Sequence, residues 1–153
     1  GYLGLGRSAA GMLDDEDFDR LAGLFPGVAP RGDFHRVRLV QRDDAATMFD
    51  AEYLSRREAA AEDLMLACRM TRGVDSDLLV RASRVIPADE LAAACDRALE
   101  LGLATWVPEH GDTHAGPIAS VDVIAGRTCA RLAPTHLGWL DGNVLFELFW
   151  DLA

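Results

Sequence analysis

An α+β fold, mainly helical, is predicted by three features of this 153-residue sequence. From Ser55 onward, apolar residues recur at helical spacing between capping signals. Strand-like apolar pieces follow that block and precede one last helical pattern. The opening run GYLGLGRSAAG is apolar and glycine-rich, and reads as the remnant strand and loop of a larger domain. The organisation expected is a remnant over 1–11, a connector with an edge strand over 12–54, and a C-terminal domain over 55–153. In that last part, three helices followed by a hairpin make a winged-helix-like arrangement.

Taken in order, Tyr2 to Leu5 reads as a strand entering a tight loop, punctuated by Gly1, Gly4, Gly6 and Gly11. Asp14 to Asp19 is acidic, and Asp17 to Leu24 reads as a short helix before Pro26, Gly27, Pro30 and Gly32 break the chain. Phe34 to Val40 alternates, so His35, Val37 and Leu39 face a core from an exposed edge strand. Ser55 and Glu58 form a capping box, in which each side chain bonds the other's backbone N–H. The helix they open runs to about Arg72, ends at Gly73, and buries Ala61, Leu64, Met65, Ala67, Cys68 and Thr71. Asp75 caps a second, short helix containing Leu78, Leu79 and Ala82. Pro87, Asp89 and Glu90 suit the first turn of a third, which buries Leu91, Cys95, Ala98 and Leu99 and stops at Gly102. Strands are expected at Leu103–Val107, Ser120–Ile124 and Arg127–Leu132, the first two separated by a Gly/His-rich loop. A final helix starts near Pro134, with Leu137, Leu140, Val144, Leu145, Leu148 and Phe149 at helical spacing, while Trp139, Phe146 and Trp150 add bulk elsewhere around it. Gly138 and Gly142 lower its propensity but permit close backbone approach.

Composition narrows the function classes. Half the residues are apolar and 26% are charged, as in an ordinary globular protein with room for one core. Every one of the 15 basic residues is Arg, and Ala is abundant, which reads as a GC-rich bacterial coding genome. The net charge of −10 argues against a nucleic-acid partner, whose phosphates require a basic surface, and against an anionic membrane surface. The third helix would be the DNA reader of a winged helix, yet it carries Asp89, Glu90, Asp96 and Glu100 against Arg97 alone. Cys68, Cys95 and Cys129 are too few and too scattered for a disulfide framework and fit a cytoplasmic protein. No apolar run is long enough for a membrane span, and no signal peptide is visible.

Few groups invite chemistry. Gly4 and Gly6, with Ala9 in the third place, resemble a dinucleotide fingerprint, but the acidic, broken segment downstream supplies no βαβ unit. The loop is read instead as lining a larger barrel, its backbone N–H groups helping to hold a small ligand. Ser8 has no evident His base. His110 and His114 in HGDTH stand four apart, as zinc ligands do on a helix, but Gly111 and the following Gly116-Pro117 indicate a solvated loop. Asp14 to Asp17 lacks the spacing of a metal-binding loop and reads as solvated surface. Arg56, Arg57, Arg69 and Arg72 would suit propionates or other anions, or equally pairing with Glu58, Glu62 and Asp63.

Four segments in order, GLGRSAAG (4–11), EDLMLACRMTRGVD (62–75), LELGL (99–103) and RLAPTHLGWLDGNVLFELFW (131–150), resemble the C-terminal part of the oxygen-independent coproporphyrinogen III oxidase family, heme-chaperone-like paralogues included. The resemblance implies a radical S-adenosylmethionine parent. Its partial (β/α) barrel would precede this chain and carry a CxxxCxxC segment for a 4Fe-4S cluster. In the oxidases, a deoxyadenosyl radical takes hydrogen from propionate side chains, and loss of carbon dioxide leaves the vinyl groups of protoporphyrinogen IX. The chaperone-like relatives bind and transfer heme. On this chain the resemblance makes Gly4, Gly6, Ser8 and Ala9 the cofactor-side loop at the end of the last barrel strands. It makes Arg69, Gly73, Val74 and Asp75 the turn between the first two C-terminal helices, and Thr135, Gly138 and Asn143 the start of the last helix. Ala10 stands where the family usually has His, and Ala133-Pro134 precede Thr135 in place of the usual Leu. The expected partners are the barrel, a tetrapyrrole, and a second copy of the chain through an exposed apolar surface. Cofactors are expected on the barrel and none on these residues, since the cluster motif is missing here. A heme-transfer module and a purely structural interaction domain are the alternatives.

Overall fold

The computed structural model describes residues 10–22, 34–41, 49–109 and 116–153. They form two compact units, residues 1–59 and 60–153, in a mixed helix-and-strand architecture with two small antiparallel sheets. The α+β class is therefore as expected. The strand expected at Tyr2 to Leu5 lies outside the described residues.

The first unit is built on strand β1 (Ala10–Asp14), helix α1 (Asp15–Ala22), and strands β2 (Arg36–Gln41) and β3 (Phe49–Leu54), with sheet order β1-β2-β3. The parity read for Phe34 to Val40 holds in part: Val37 is fully buried between Leu13 and Tyr53 in the register and Leu39 packs on the same cluster, but so does Phe34 from the opposite parity. The edge position does not hold. β2 is flanked on both sides, because β3 also pairs with it. Opposite-charge pairing across the strands assists, with Arg38 donating to Glu52 at 2.9 Å. Over the sheet, Phe18, Phe34 and Tyr53 meet edge to face with centroids 5.3–5.8 Å apart. The acidic run read as bare surface opens α1: Asp14 accepts from the Asp17 N–H at 2.8 Å, and Asp15 to Asp17 fill the first turn where the helix dipole favours anions.

Helix α2 (Arg56–Cys68) starts at the predicted capping box. The Ser55 N–H donates to Glu58 Oε2 at 2.7 Å, and the Glu58 N–H donates to Ser55 Oγ at 3.2 Å. Hydrogen bonding from Ser55, chiefly from its backbone N–H, stabilises the carboxylate and holds Glu58 below its ordinary value of 4.5. The helix ends at Cys68, not Arg72. Arg69 and Met70 donate to carbonyls three residues back, tightening the chain into a turn that leaves Thr71 exposed. Ala61, Leu64 and Cys68 are buried as expected.

In the second unit, helices α3 (Ser76–Ala82) and α4 (Ala88–Glu100) follow the predicted pattern. Asp75 caps α3 by accepting from the Leu78 N–H at 2.8 Å. Gly102, with φ +69°, ends α4: its N–H bonds the Leu99 carbonyl, and the Leu103 N–H bonds that of Ala98. That pair of bonds is a Schellman motif. Strands β4 (Ala104–Pro108) and β5 (Ala130–Pro134) then pair antiparallel. The strand expected at Ser120–Ile124 is helix α5 instead. Its buried residues, Ser120, Val123 and Ile124, stand at i, i+3 and i+4, a helical spacing hidden by the alternation of two valines. Gly126 closes α5 with a second Schellman pair, so β5 begins at Ala130, three residues later than predicted.

The last helix is broken. Thr135 caps α6 (His136–Leu140), Asp141 leaves helical geometry, and α7 (Gly142–Trp150) follows. The buried side is narrower than predicted: Gly138, Leu145, Phe149 and Leu152 are buried at helical spacing, whereas Leu137, Leu140 and Val144 are exposed. The core includes Leu64, Val74, Leu79, Ile86, Leu91, Cys95, Val123, Leu132, Leu145 and Phe149, all less than 2% exposed.

Three glycines test this account. Gly102→Ala meets only an ordinary contact with Leu137 Cδ2 at 3.9 Å but a left-handed φ, and should cost about 1–2 kcal/mol. At Gly138, Ala would gain about 1 kcal/mol of helix propensity. A Cβ there would lie 1.9 Å from the Leu103 carbonyl oxygen, so the net effect should be strongly destabilising. Gly73→Ala combines φ +76° with a contact of 2.1 Å to the Leu132 oxygen and should be the worst of the three. Urea midpoints rank them. A second expectation concerns Glu58, whose lowered folded value means that its contribution is full above about pH 4.5 and is lost as pH falls through that folded value. Glu58→Gln should flatten the acid limb of urea midpoints measured against pH.

Candidate functional site

The densest grouping of chemically competent side chains in the described residues lies at the mouth of the β4–β5 pair. Glu109 follows β4 and its N–H donates to the Cys129 carbonyl at 3.0 Å, extending the ladder by one pair. That places the Glu109 carboxylate beside α3. Ser76 Oγ donates to its Oε2 at 2.9 Å, and Arg72 Nη2 donates to Oε1 at 2.9 Å. Cys129 Sγ lies 3.3 Å from Ser76 Oγ and 3.8 Å from Glu109 Oε2. Arg131, from β5, donates to the Arg72 backbone carbonyl at 2.6 Å.

The arrangement follows from elements already placed. Asp75 starts α3, which puts Ser76 in its first turn and 93% out of solvent. The turn after α2 delivers Arg72. Three chain segments thus converge on one carboxylate, and both of its oxygens accept hydrogen bonds. A partly buried carboxylate so satisfied acts chiefly as a clamp, since charge-assisted bonds to it are stronger than neutral ones. Cys129 is the one exposed thiol of the three. It can react with soft electrophiles or oxidants, with Ser76 and Glu109 as its hydrogen-bonding neighbours.

Gly4, Gly6, Ser8 and Ala9 lie outside the described residues, as do His110, Asp112 and His114. Among the described residues, no three His, Cys, Asp or Glu side chains are grouped to hold a metal ion. Of the arginines on and after α2, Arg72 binds Glu109 and Arg69 lies over the Phe146 ring at 4.8 Å, so these two are not aimed at one anion position. His35 is next to β2 in the first unit, with its N–H bonding the Leu54 carbonyl, and His136 is exposed at the start of α6. Glu109 went unnoticed in the sequence because its partners come from positions 33 to 37 residues away; the one available signal was an acid adjoining the HGDTH run.

The residues that carry the family resemblance fall on joints. Gly73 takes the left-handed turn, Val74 exchanges both backbone hydrogen bonds with Leu132 at 2.9 and 2.8 Å, and Asp75 caps α3. Thr135 Oγ1 accepts from the Gly138 N–H at 3.1 Å and donates to the Gly102 carbonyl at 2.6 Å. Gly138 then packs its backbone against Leu103.

Burial separates the thiols. It pushes Cys68 up to about 12 and raises Cys95 as well, which is further disfavoured as a thiolate by Cys68 and Asp96 beside it. At about pH 8, iodoacetamide should modify Cys129 in the folded protein and spare Cys68 and Cys95, with all three reacting in denaturant. Mass spectrometry counts the adducts; alkylation of a helical thiol at a rate matching Cys129 would contradict the packing.

Compared with models of known protein families, with curated proteins and with solved structures, the chain matches none.

Proposed function

We propose that this chain is the C-terminal region of an oxygen-independent coproporphyrinogen III oxidase-like protein, where it packs on and covers a radical S-adenosylmethionine barrel. The observation that carries the proposal is the coincidence just described: TRGVD and LAPTHLGW, two of the segments with the resemblance, are the segments on which the second unit is jointed. A sequence pattern of that kind belongs to a shared scaffold before it belongs to a reaction. The element order supports the same reading. Helix α2, the short Val74 bridge, α3, α4, β4 and β5 come in the order of a winged-helix-like domain, with α5 inserted between the two strands. In this proposal residues 1–11 are the last barrel strand and loop, and Gly4, Gly6, Ser8 and Ala9 lie on the cofactor side.

The residues in hand do not fit an iron–sulfur cluster. A 4Fe-4S cluster takes cysteine thiolates, and here Cys68 and Cys95 are sealed in the core while Cys129 stands apart from both. Cluster and S-adenosylmethionine therefore belong to the proposed barrel, and no step of radical chemistry falls to this chain. Its contribution is to exclude water and hold shape over a reacting centre supplied from elsewhere.

The test is the full gene product, handled without oxygen. An in-frame CxxxCxxC upstream, with deoxyadenosine and carbon dioxide released from coproporphyrinogen III in the presence of reductant, is the expected result. An upstream sequence without that motif overturns the enzyme reading. Stoichiometric heme binding without turnover would move the protein to the heme-transfer alternative, and neither activity would leave an interaction domain.

A further inference from the structure

Helices α6 and α7 concentrate the uncovered apolar surface of the second unit. Of nine exposed large hydrophobic side chains among the described residues, five belong to these two helices: Leu137, Trp139, Leu140, Val144 and Trp150. Leu140 is the most exposed of the nine, at 72%. Single exposed leucines need no explanation, but a cluster of them marks an interaction surface. Leu137, Leu140 and Val144 stand at i, i+3 and i+7, and the same stripe continues to Glu147 and Asp151, also exposed. Asp141 joins the two helices by donating its N–H to the Leu137 carbonyl at 2.8 Å and accepting from the Val144 N–H at 3.0 Å.

Charge decides what fits there. No Lys or Arg follows Arg131, while Asp141, Glu147 and Asp151 are all exposed. Asp151 also caps the C-terminal end of α7, where the helix dipole is negative. The one cation that reaches α7 in the described contacts, Arg69, lies over the Phe146 ring. A second copy of the chain seated on this stripe would set acid against acid in an isologous contact. An anionic bilayer would be repelled in the same way, although Trp139 and Trp150 suit an interface.

We infer that the α6–α7 face docks a basic amphipathic helix of a partner protein. Leu-type anchors would lie along Leu137, Leu140 and Val144, and Arg or Lys side chains would meet Glu147 and Asp151. This is the helix-to-apolar-face mode of recognition, with charge setting orientation and partner choice. The inference rests on this face alone and stands or falls independently of the tetrapyrrole reading.

The experiment is fluorescence anisotropy of a labelled synthetic helix with Leu at one face and Arg at the other, titrated with the whole chain. Binding is expected, weakening as salt is raised, and absent for the same peptide with Glu in place of Arg. Leu140→Glu should lower affinity by about tenfold or more even though it adds negative charge, and Glu147→Arg should also weaken binding. Both positions are exposed, so circular dichroism and melting should be unchanged, which separates lost docking from lost folding. No binding of the Arg peptide overturns the proposal. Binding that survives Leu140→Glu also overturns it, since attraction would then be charge alone. So does a dimer of the free chain that Leu140→Glu dissolves, or preferential binding to phosphatidylglycerol vesicles, because the occupant would then be a second copy or a membrane.

Discussion

Two backbone hydrogen bonds between Val74 and Leu132 are the constraint on which the second unit depends. They tie the turn after α2 to β5, across 58 residues of chain, the separation of positions 74 and 132. The bridge can form only if the chain reverses sharply just before it and approaches β5 at backbone distance, and Gly73 meets both needs. Once β5 is held there, its pairing with β4 sets the position of Leu103, and Leu103 in turn receives α6: the Thr135 N–H donates to its carbonyl at 3.0 Å, and Gly138 lies directly on it. The chain of dependence runs from one turn to the last helices through backbone contacts. Side-chain burial supplies most of the free energy in such a domain, but it is non-directional; the glycine joints decide which arrangement it stabilises.

The clamp around Glu109 braces the same joint from its side. Arg72 and Ser76 flank Gly73 and Asp75, so the carboxylate grips the turn at both ends, while Arg131 holds the Arg72 carbonyl from β5. Ser76 is buried deeply enough that leaving its hydroxyl without a partner would cost about 1–3 kcal/mol. The surface ion pair between Arg72 and Glu109 contributes less, on the order of 1 kcal/mol or below, because Arg72 is largely solvated. The geometry of the cluster thus matters more through Ser76 than through the more conspicuous arginine.

Local signals in the sequence were legible where one residue decides one feature. Ser55 with Glu58, Asp75, Gly102 and Thr135 each mark a terminus that the fold places within a residue or two of expectation. Misreadings arose where two periods compete or where long-range pairing intervenes. Val121 and Val123 alternate like a strand, yet Ser120, Val123 and Ile124 are the buried set, and Gly126 supplies the stop that a helix there requires. The end of α2 was placed too late because nothing local forbids helix through Arg72; the Val74 bridge forbids it. β3 carries a strand's alternation in FDAEYL, but its neighbour is settled only across the sheet, where it pairs with Val37 and Arg38. The candidate site was less legible still, since Glu109, Ser76, Arg72 and Cys129 come together only once the strands are paired.

The distribution of hydrogen-bonding capacity bears on where function can reside. The polar groups of the resemblance segments are already committed: Asp75 to the α3 N-terminus, Thr135 to both Gly102 and Gly138, and the Val74 backbone to Leu132. A hydroxyl that donates to one backbone group and accepts from another has little left to offer a ligand without unfastening a helix. The core of the second unit buries the Cys68 and Cys95 thiols, which burial holds protonated, together with the Glu62 carboxyl. Among the described residues, two features open to solvent are the exposed Cys129 thiol and the apolar and acidic stripe of α6 and α7. The first can react and the second can bind, and the joints between them are what keep both in place.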